Sequence, residues 1–260
     1  MNLELNPSIA SDYKSPAQIA RVVTESWFKN NSYCPNCGRE SLEQFANNEP
    51  VADFYCSRCQ EQYELKSKRN AVGKKIVDGA YRTMLERISS QENPSFFLLT
   101  YNRQNWLVRD FLVIPKHFFV SHMIEQRKPL PQSARRAGWV GCNIVMESIP
   151  DTGKIFFIKE SQVVRKDNVL EKWQQTAFLK TAKPESKGWL VDVLNCLDKI
   201  PTAEFELQDV YAFEGELKEL HPENRFVKDK IRQQLQFLRD KGLLEFTGRG
   251  KYKKLRLSNG

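Results

Sequence analysis

The residues able to do chemistry crowd into one stretch, Pro50 to Lys68, which reads PVADFYCSRCQEQYELKSK. Asp53 and the triplet Glu64-Leu65-Lys66 lie on two short runs that alternate in character, as strands do. Successive strand side chains point to opposite faces, so Glu64 and Lys66 share one side and Leu65 takes the other. The same rule pairs Asp53 with Tyr55 and turns Phe54 away. Folded into a hairpin, the two runs bring Asp53, Glu64 and Lys66 together above an apolar floor of Phe54 and Leu65. Two neighbouring carboxylates hold a hard cation such as Mg2+, and an ammonium beside them positions or activates water. That is equipment for hydrolysing a phosphodiester. The alternative is a pair of strands whose charges merely face water, because Glu-x-Lys recurs by chance in a chain with 28% charged residues.

The hairpin turn holds Cys56 and Cys59, and an earlier knuckle holds Cys34 and Cys37. C-x2-C, eighteen residues, then C-x2-C is the spacing of a four-thiolate zinc site. Four thiolates leave Zn2+ no open position, so its role would be structural, clamping the end of the hairpin that carries the acidic residues. A redox CxxC opens a helix within a βαβ unit, and neither knuckle has that setting. Cys142 and Cys196 stand alone in apolar contexts and read as reduced, buried packing residues.

The elements around this hairpin follow from caps and periodicity. Ser15-Pro16 is a helix start, and Ile19, Val22, Val23 and Trp27 trace an apolar stripe to about Asn30. Glu25 lies near the edge of that stripe, either as an ordinary solvated glutamate or as an acid close to the metal. After the hairpin, Lys68, Arg69, Lys74 and Lys75 surround Gly73 in a basic loop that would grip phosphates or simply face water. A second helix is expected from about Ile76 to Ser90, its inward face set by Val77, Ala80, Tyr81, Met84 and Ile88. Phe96 to Tyr101 reads as a fully buried strand. Further strands are expected over Trp106–Ile114 and Lys154–Lys159, and a helix over Asn168–Lys180. The fold class is α/β. Between these elements lies QRKPLPQSARRAGWVGCN, broken by Pro129 and Pro131 and charged by Arg127, Lys128, Arg135 and Arg136. Trp139 in that loop either stacks on a base or wedges into a groove, or closes the edge of the core.

Lys183 to Gly188 reads as a linker, dividing a first domain, 1–182, from a second, 183–260. Helical runs follow at Trp189–Leu197, Leu207–Leu220 and Asn224–Asp240. The last has Val227, Ile231, Leu235 and Leu238 on one side and Arg225, Lys228, Arg232, Gln233, Gln236 and Arg239 away from it. Arginine and glutamine make bidentate contacts to guanine and adenine edges. Gly242 ends the helix, and LLEF, a Gly248-Arg249-Gly250 turn and KYKKLRL with Lys251 form a basic hairpin. Three helices and such a hairpin make a winged helix. The whole chain carries +8, while His221 to Gly260 alone carries +7, so the basic excess is local and suits a polyanion. No apolar run approaches a membrane span, and MNLELNPSIA lacks the basic start and apolar core of a signal peptide, so a cytoplasmic protein with no membrane partner is expected.

Together these stretches resemble the PD-(D/E)xK nucleases and, among them, the DpnI-type methyl-directed restriction endonucleases. The likeness runs over almost the whole chain and is densest in SYCPNCG, PVADFYC, ELKSK, RKPL, ARRAGW, LNC and IRQQLQFLRDKG. Pro50 stands three residues before Asp53, where the superfamily motif has the two adjacent. The resemblance implies a PD-(D/E)xK core with an inserted zinc site and a winged helix. It implies a bacterial type II enzyme cleaving duplex DNA at GATC sites that carry N6-methyladenine, and it tips Trp139 towards a DNA contact. Asp53 and Glu64, with the Leu65 carbonyl, are the expected Mg2+ ligands, and Lys66 the residue that orients water. A monomer with no nucleotide cofactor is expected. The rival function is a non-enzymatic zinc-ribbon and winged-helix regulator, which leaves Asp53, Glu64 and Lys66 without a task.

Overall fold

A computed structural model describes residues 1–46, 52–90 and 93–255, so Pro50 lies outside the described residues. Helix α1 (Pro16–Asn31) starts at the proline as expected, with proline at its first position where no N–H is needed. The short strands β1 (Glu43–Gln44) and β2 (Phe54–Tyr55) lead into β3 (Gln62–Arg69). The expected helix over Ile76–Ser90 is not one element. It divides into strand β4 (Lys75–Ala80) and helix α2 (Tyr81–Ser89). Lys75 to Asp78 pair antiparallel with Cys142 to Val145, which buries Ile76 and leaves Val77 61% exposed, and Gly79 is a poor helix residue.

Strands β5 (Ser95–Asn102) and β6 (Leu107–Ile114) follow, then β7 (Ile124–Gln126), β8 (Gly141–Val145), β9 (Ile155–Lys159) and β10 (Gln162–Val163). Among the described residues the large sheet runs β1-β2-β3-β5-β6-β9-β10, with β3 and β5 parallel and the other pairs antiparallel. Its central strands are buried on both faces. Phe97, Leu99, Phe111 and Val113 join Phe28 and Trp27 of α1 on one side, together with Phe54 and Tyr63. Phe96, Leu98, Leu112 and Ile114 join the opposite core. A second sheet, β4-β8-β7, covers part of that opposite side.

The helix expected over Asn168–Lys180 is α3 (Lys166–Gln175) plus a separate turn at Ala177–Thr181. The expected linker is instead the first turn of helix α4 (Pro184–Lys199), because Pro184 initiates a helix rather than breaking one. Strand β11 (Glu204–Glu206), helices α5 (Leu207–Tyr211) and α6 (Glu214–Leu220), and helix α7 (Val227–Asp240) follow, so the run expected as one helix over Leu207–Leu220 is split in two. Gly242, at φ +71°, lets Leu243 N–H reach back to the Leu238 carbonyl and ends α7. Strands β12 (Leu244–Gly248) and β13 (Lys251–Lys254) then form the wing, with β13 between β11 and β12.

Helix α4 packs on the turns at 116–118 and 151–153, and its Leu190, Val193 and Leu197 belong to the same core as Phe96 and Leu112. Asp192, 3% exposed, accepts from His122 Nε2 of the first unit at 2.9 Å and from His221 Nε2 of the second at 2.7 Å. Burial pushes its carboxyl up, but the two imidazole hydrogen bonds outweigh burial and hold it below the usual range.

Candidate active site and nucleic-acid interface

The site begins with the backbone of the hairpin. Asp53 N–H donates to the Tyr63 carbonyl at 3.0 Å, and Leu65 N–H donates to Asp53 Oδ2 at 2.8 Å. The ladder between β2 and β3 covers only Tyr63 and Gln62, so beyond it the Asp53 side chain itself caps the edge of β3. N–H and C=O of one strand residue point the same way, which turns the Leu65 carbonyl out of the edge where Asp53 stands. Phe54 and Leu65 pack into the apolar core beneath, and Glu64 and Lys66 face the other side, with the Lys66 ammonium 5.8 Å from the Phe96 ring centre. Glu64 and Lys66 meet on that side, and Asp53 stands at the adjoining strand edge, close enough to Glu64 to raise its carboxyl.

Two further residues stand there that the sequence did not offer. Asp78 Oδ1 on β4 accepts from Lys66 Nζ at 2.5 Å, and Arg87 on α2 lies 3.8 Å from Glu64 Oε2. Lys66 also pairs with Glu64 Oε1. Burial pushes the Glu64 carboxyl up, Lys66 pulls it back, and Asp78 and Asp53 push it up again, so that the net direction is upward. Burial works against the Lys66 ammonium, but Glu64 and Asp78 reverse this and hold its pKa above the ordinary lysine value. Glu25 of α1 is half-buried within reach of the same field. Burial raises its carboxyl, Arg21 opposes, and Asp53 adds to the rise. No local pattern marks Asp78, because Ile76 and Val77 beside it are both apolar.

Asp53, Glu64 and the Leu65 carbonyl suit a hard cation, since the raised Glu64 carboxyl, with the Asp53 and Asp78 carboxylates near it, gains from a dication. Among the described residues, only the four cysteines have ligand atoms all within 4.8 Å of one another. Cys34 Sγ lies 3.5 Å from Cys59 Sγ, and Cys37 Sγ 3.5 Å from Cys56 Sγ. Each knuckle turns through a left-handed residue, Gly38 at φ +74° and Gln60 at φ 60°. Burial raises the Cys34 thiol, so a thiolate there needs a cation, as a zinc site supplies. Cys142 and Cys196 are free and buried, as expected.

The DNA-facing candidates lie on two other elements. The loop between β7 and β8 is closed by Arg127 N–H to the Gly141 carbonyl at 2.9 Å and Leu130 N–H to the Trp139 carbonyl at 2.9 Å. Arg135 and Arg136 are exposed. Trp139 is half-buried, belongs to neither core, and carries the Arg136 guanidinium 4.7 Å from its ring centre. A side chain at Gly141 would come within 2.8 Å of that ring, so glycine is what lets the indole lie across the strand. On α7, Lys228, Arg232, Gln233 and Gln236 are exposed, as is Arg225 just before it and Arg249 and Lys251 in the wing. Lys228 pairs with Glu214 at 3.3 Å, Arg232 with Asp229 at 3.4 Å and Lys251 with Glu206 at 3.8 Å. Arg239 is held partly inward over the Phe246 ring at 4.5 Å. Phe226, 72% exposed at the start of α7, is an apolar candidate that the helical wheel missed.

The sequence model of the Dam-replacing family, DpnI, matches residues 1–182, and that of the Dam-replacing HTH domain matches residues 185–254. The chain belongs to the Dam-replacing (DpnI) family. As a DpnI-family protein it is a DNA-binding nuclease of the methyl-directed restriction type, and the resemblance noted in the sequence is borne out. Membership sets aside the regulator reading. No helix among the described residues is long and apolar enough to cross a membrane.

Proposed function

We propose that this DpnI-family chain hydrolyses both strands of duplex DNA at GATC sites carrying N6-methyladenine, as a Mg-dependent type II endonuclease of the PD-(D/E)xK kind. The observation that carries the proposal is the Glu64–Lys66 pair on β3 beside Asp53, whose carboxylate accepts from the intervening Leu65 N–H and lies close enough to raise the Glu64 carboxyl. Asp53, Glu64 and the Leu65 carbonyl would hold Mg2+. The ion, when bound, supplies a Lewis acid for the phosphoryl oxygens and a water of lowered pKa. Lys66 orients the attacking water and stabilises charge developing on the phosphate. Glu64 would serve the cation with the carboxylate that now pairs with Lys66. Zinc in the four-cysteine cluster holds the hairpin in register and takes no part in the chemistry.

Residues 1–182 would do the cutting and 183–260 would add recognition. Arg135, Arg136, Arg225, Lys228, Arg232, Arg249 and Lys251 supply phosphate contacts, and Gln233 and Gln236 read bases. Burying one methyl gains only about 0.8 kcal/mol, roughly fourfold in affinity. Two readers multiply that, and we assign them to the Trp139 loop and to α7 with its exposed Phe226. The enzyme acts as a bacterial cytoplasmic monomer and needs no nucleotide cofactor. Plasmid from methylating and non-methylating hosts, incubated with protein and Mg2+ or EDTA, tests the reading. Cutting confined to methylated plasmid with Mg2+ is expected; cutting of unmethylated plasmid, or in EDTA, overturns it.

A further inference from the structure

Strand β4 contributes one acidic side chain, Asp78, to a site whose proposed chemistry does not call on it. We propose that Asp78 is the positioning residue for Lys66, and this rests on the reading of Lys66 as a catalytic cation. The carboxylate is 6% exposed, with Oδ1 accepting from Lys66 Nζ at 2.5 Å and from Gly79 N–H at 2.6 Å. Its Oδ2 is buried and has no hydrogen-bond partner among the described residues. An anion buried with one oxygen unpaired costs stability, and an apolar side chain of the same volume would serve a merely structural role better. What the carboxylate does for Lys66 accounts for it.

Lysine needs such an anchor. Its ammonium rides on a flexible four-carbon stem and offers three donors with no preferred direction. Glu64 lies on the same strand, two residues away, and is itself a candidate cation ligand, so it cannot both turn to the cation and keep hold of Lys66. Asp78 comes from a different sheet. With Glu64 serving the cation, Asp78 keeps one N–H direction of Lys66 fixed and leaves the other two for water or phosphate.

The backbone around Asp78 is built to aim it. Asp78 pairs with Cys142 and Ala80 with Gly141, so the register slips at Gly79 and the strand bulges there. Bulges re-aim side chains and recur beside active sites. The bulge is pinned from outside by Cys142 Sγ against the Gly79 carbonyl at 3.5 Å and by Tyr81 N–H to the Val140 carbonyl at 3.1 Å.

The test is single-turnover cleavage of an N6-methylated GATC duplex by the full chain carrying Asp78→Asn, Asp78→Glu or Lys66→Ala, with duplex affinity and melting temperature measured alongside. Asp78→Asn should slow cleavage by about 30-fold while duplex affinity stays within about threefold. Its melting temperature should stay close to that of the wild type, because Glu64 still pairs with the Lys66 ammonium. Asp78→Glu should recover at least about fivefold of the lost rate, since a carboxylate can still reach the ammonium. If Asp78→Asn cuts within about threefold of wild type while Lys66→Ala is inactive, the inference is wrong and the proposed function stands. If both Asp78 variants lose rate only in step with lost melting temperature, Asp78 is structural and the inference is again wrong. If Lys66→Ala cuts at the wild-type rate, the catalytic reading falls and this inference with it.

Discussion

The catalytic hairpin and helix α7 use the same kinds of charged residue in opposite ways. Around β3 the charges are sunk into the protein and satisfy one another: Glu64, Lys66 and Asp78 have side chains only 18%, 21% and 6% exposed. Along α7 the cations stand outward, and their protein partners are loose surface pairs such as Lys228 with Glu214. A buried charge fixes geometry and is costly to leave alone. An exposed one gives affinity that salt can screen and that neighbours can replace. Damage to the first region should therefore be abrupt, and damage to the second graded.

The sharpest way to break that contrast is at the hairpin. Asp53→Ala, Glu64→Ala and Lys66→Ala should each lower cleavage by a factor on the order of a thousand or more, while duplex affinity falls less than about fivefold. Plasmid cleavage and fluorescence anisotropy measure the two, and near wild-type cutting by any one of the three removes it from the mechanism. Next in size is the zinc cluster. Cys34→Ser or Cys59→Ser should lower the melting temperature of the whole chain and, by metal analysis, abolish the one zinc per chain expected in the wild type, because structural zinc is bound with free energy that belongs to folding. A zinc-free protein with normal melting and activity would contradict that role.

Acid should find the same distinction within the core. His117 is 4% exposed, neither of its ring nitrogens has a hydrogen-bond partner among the described residues, and burial first, then Lys180, Lys187 and Lys116, pushes its pKa from 6.5 down to about 3. The unfolded chain therefore binds a proton below pH 6.5 that the folded chain refuses. Stability from this neutral imidazole is complete above pH 6.5 and is lost as the pH falls towards 3, on the order of 5 kcal/mol over the full range. His117→Phe should flatten the melting temperature between pH 6.5 and 4; an unchanged slope would show that other groups set it. The smallest effects belong to α7. Arg225→Ala and Arg232→Ala should each weaken duplex binding only about three- to tenfold and lower the salt slope by about 1, for methylated and unmethylated DNA alike. Trp139→Ala, in contrast, should narrow the preference for methylated duplex by about fourfold. Equal loss on both duplexes would make Trp139 a positioning residue.

Local rules made much of this legible. The cysteine spacing, the alternation around Glu64-Leu65-Lys66 and the stripe Val227, Ile231, Leu235, Leu238 each express a constraint contained within a few residues, and all three are found where expected. Strand β4 was hidden because its partner β8 lies some sixty residues on, and because Val77 and Ala80 continue at helical spacing the stripe of Tyr81, Met84 and Ile88. With it went Asp78. Lys183 to Gly188 has the composition of a linker, yet composition says nothing of what packs against it, and here a proline at the first helical position begins α4.

That helix has an engineering consequence. Leu190, Val193 and Leu197 share one core with Phe96 and Leu112, and Asp192 ties a histidine of each unit. The C-terminal unit is thus a wall of the nuclease as well as a module beside it. Swapping in a foreign reader by cutting at 183 would strip an apolar face bare and break the His122–Asp192–His221 bridge. A working chimera would have to keep the inner side of α4 and exchange only elements C-terminal to it, with α7 and the wing as the removable parts.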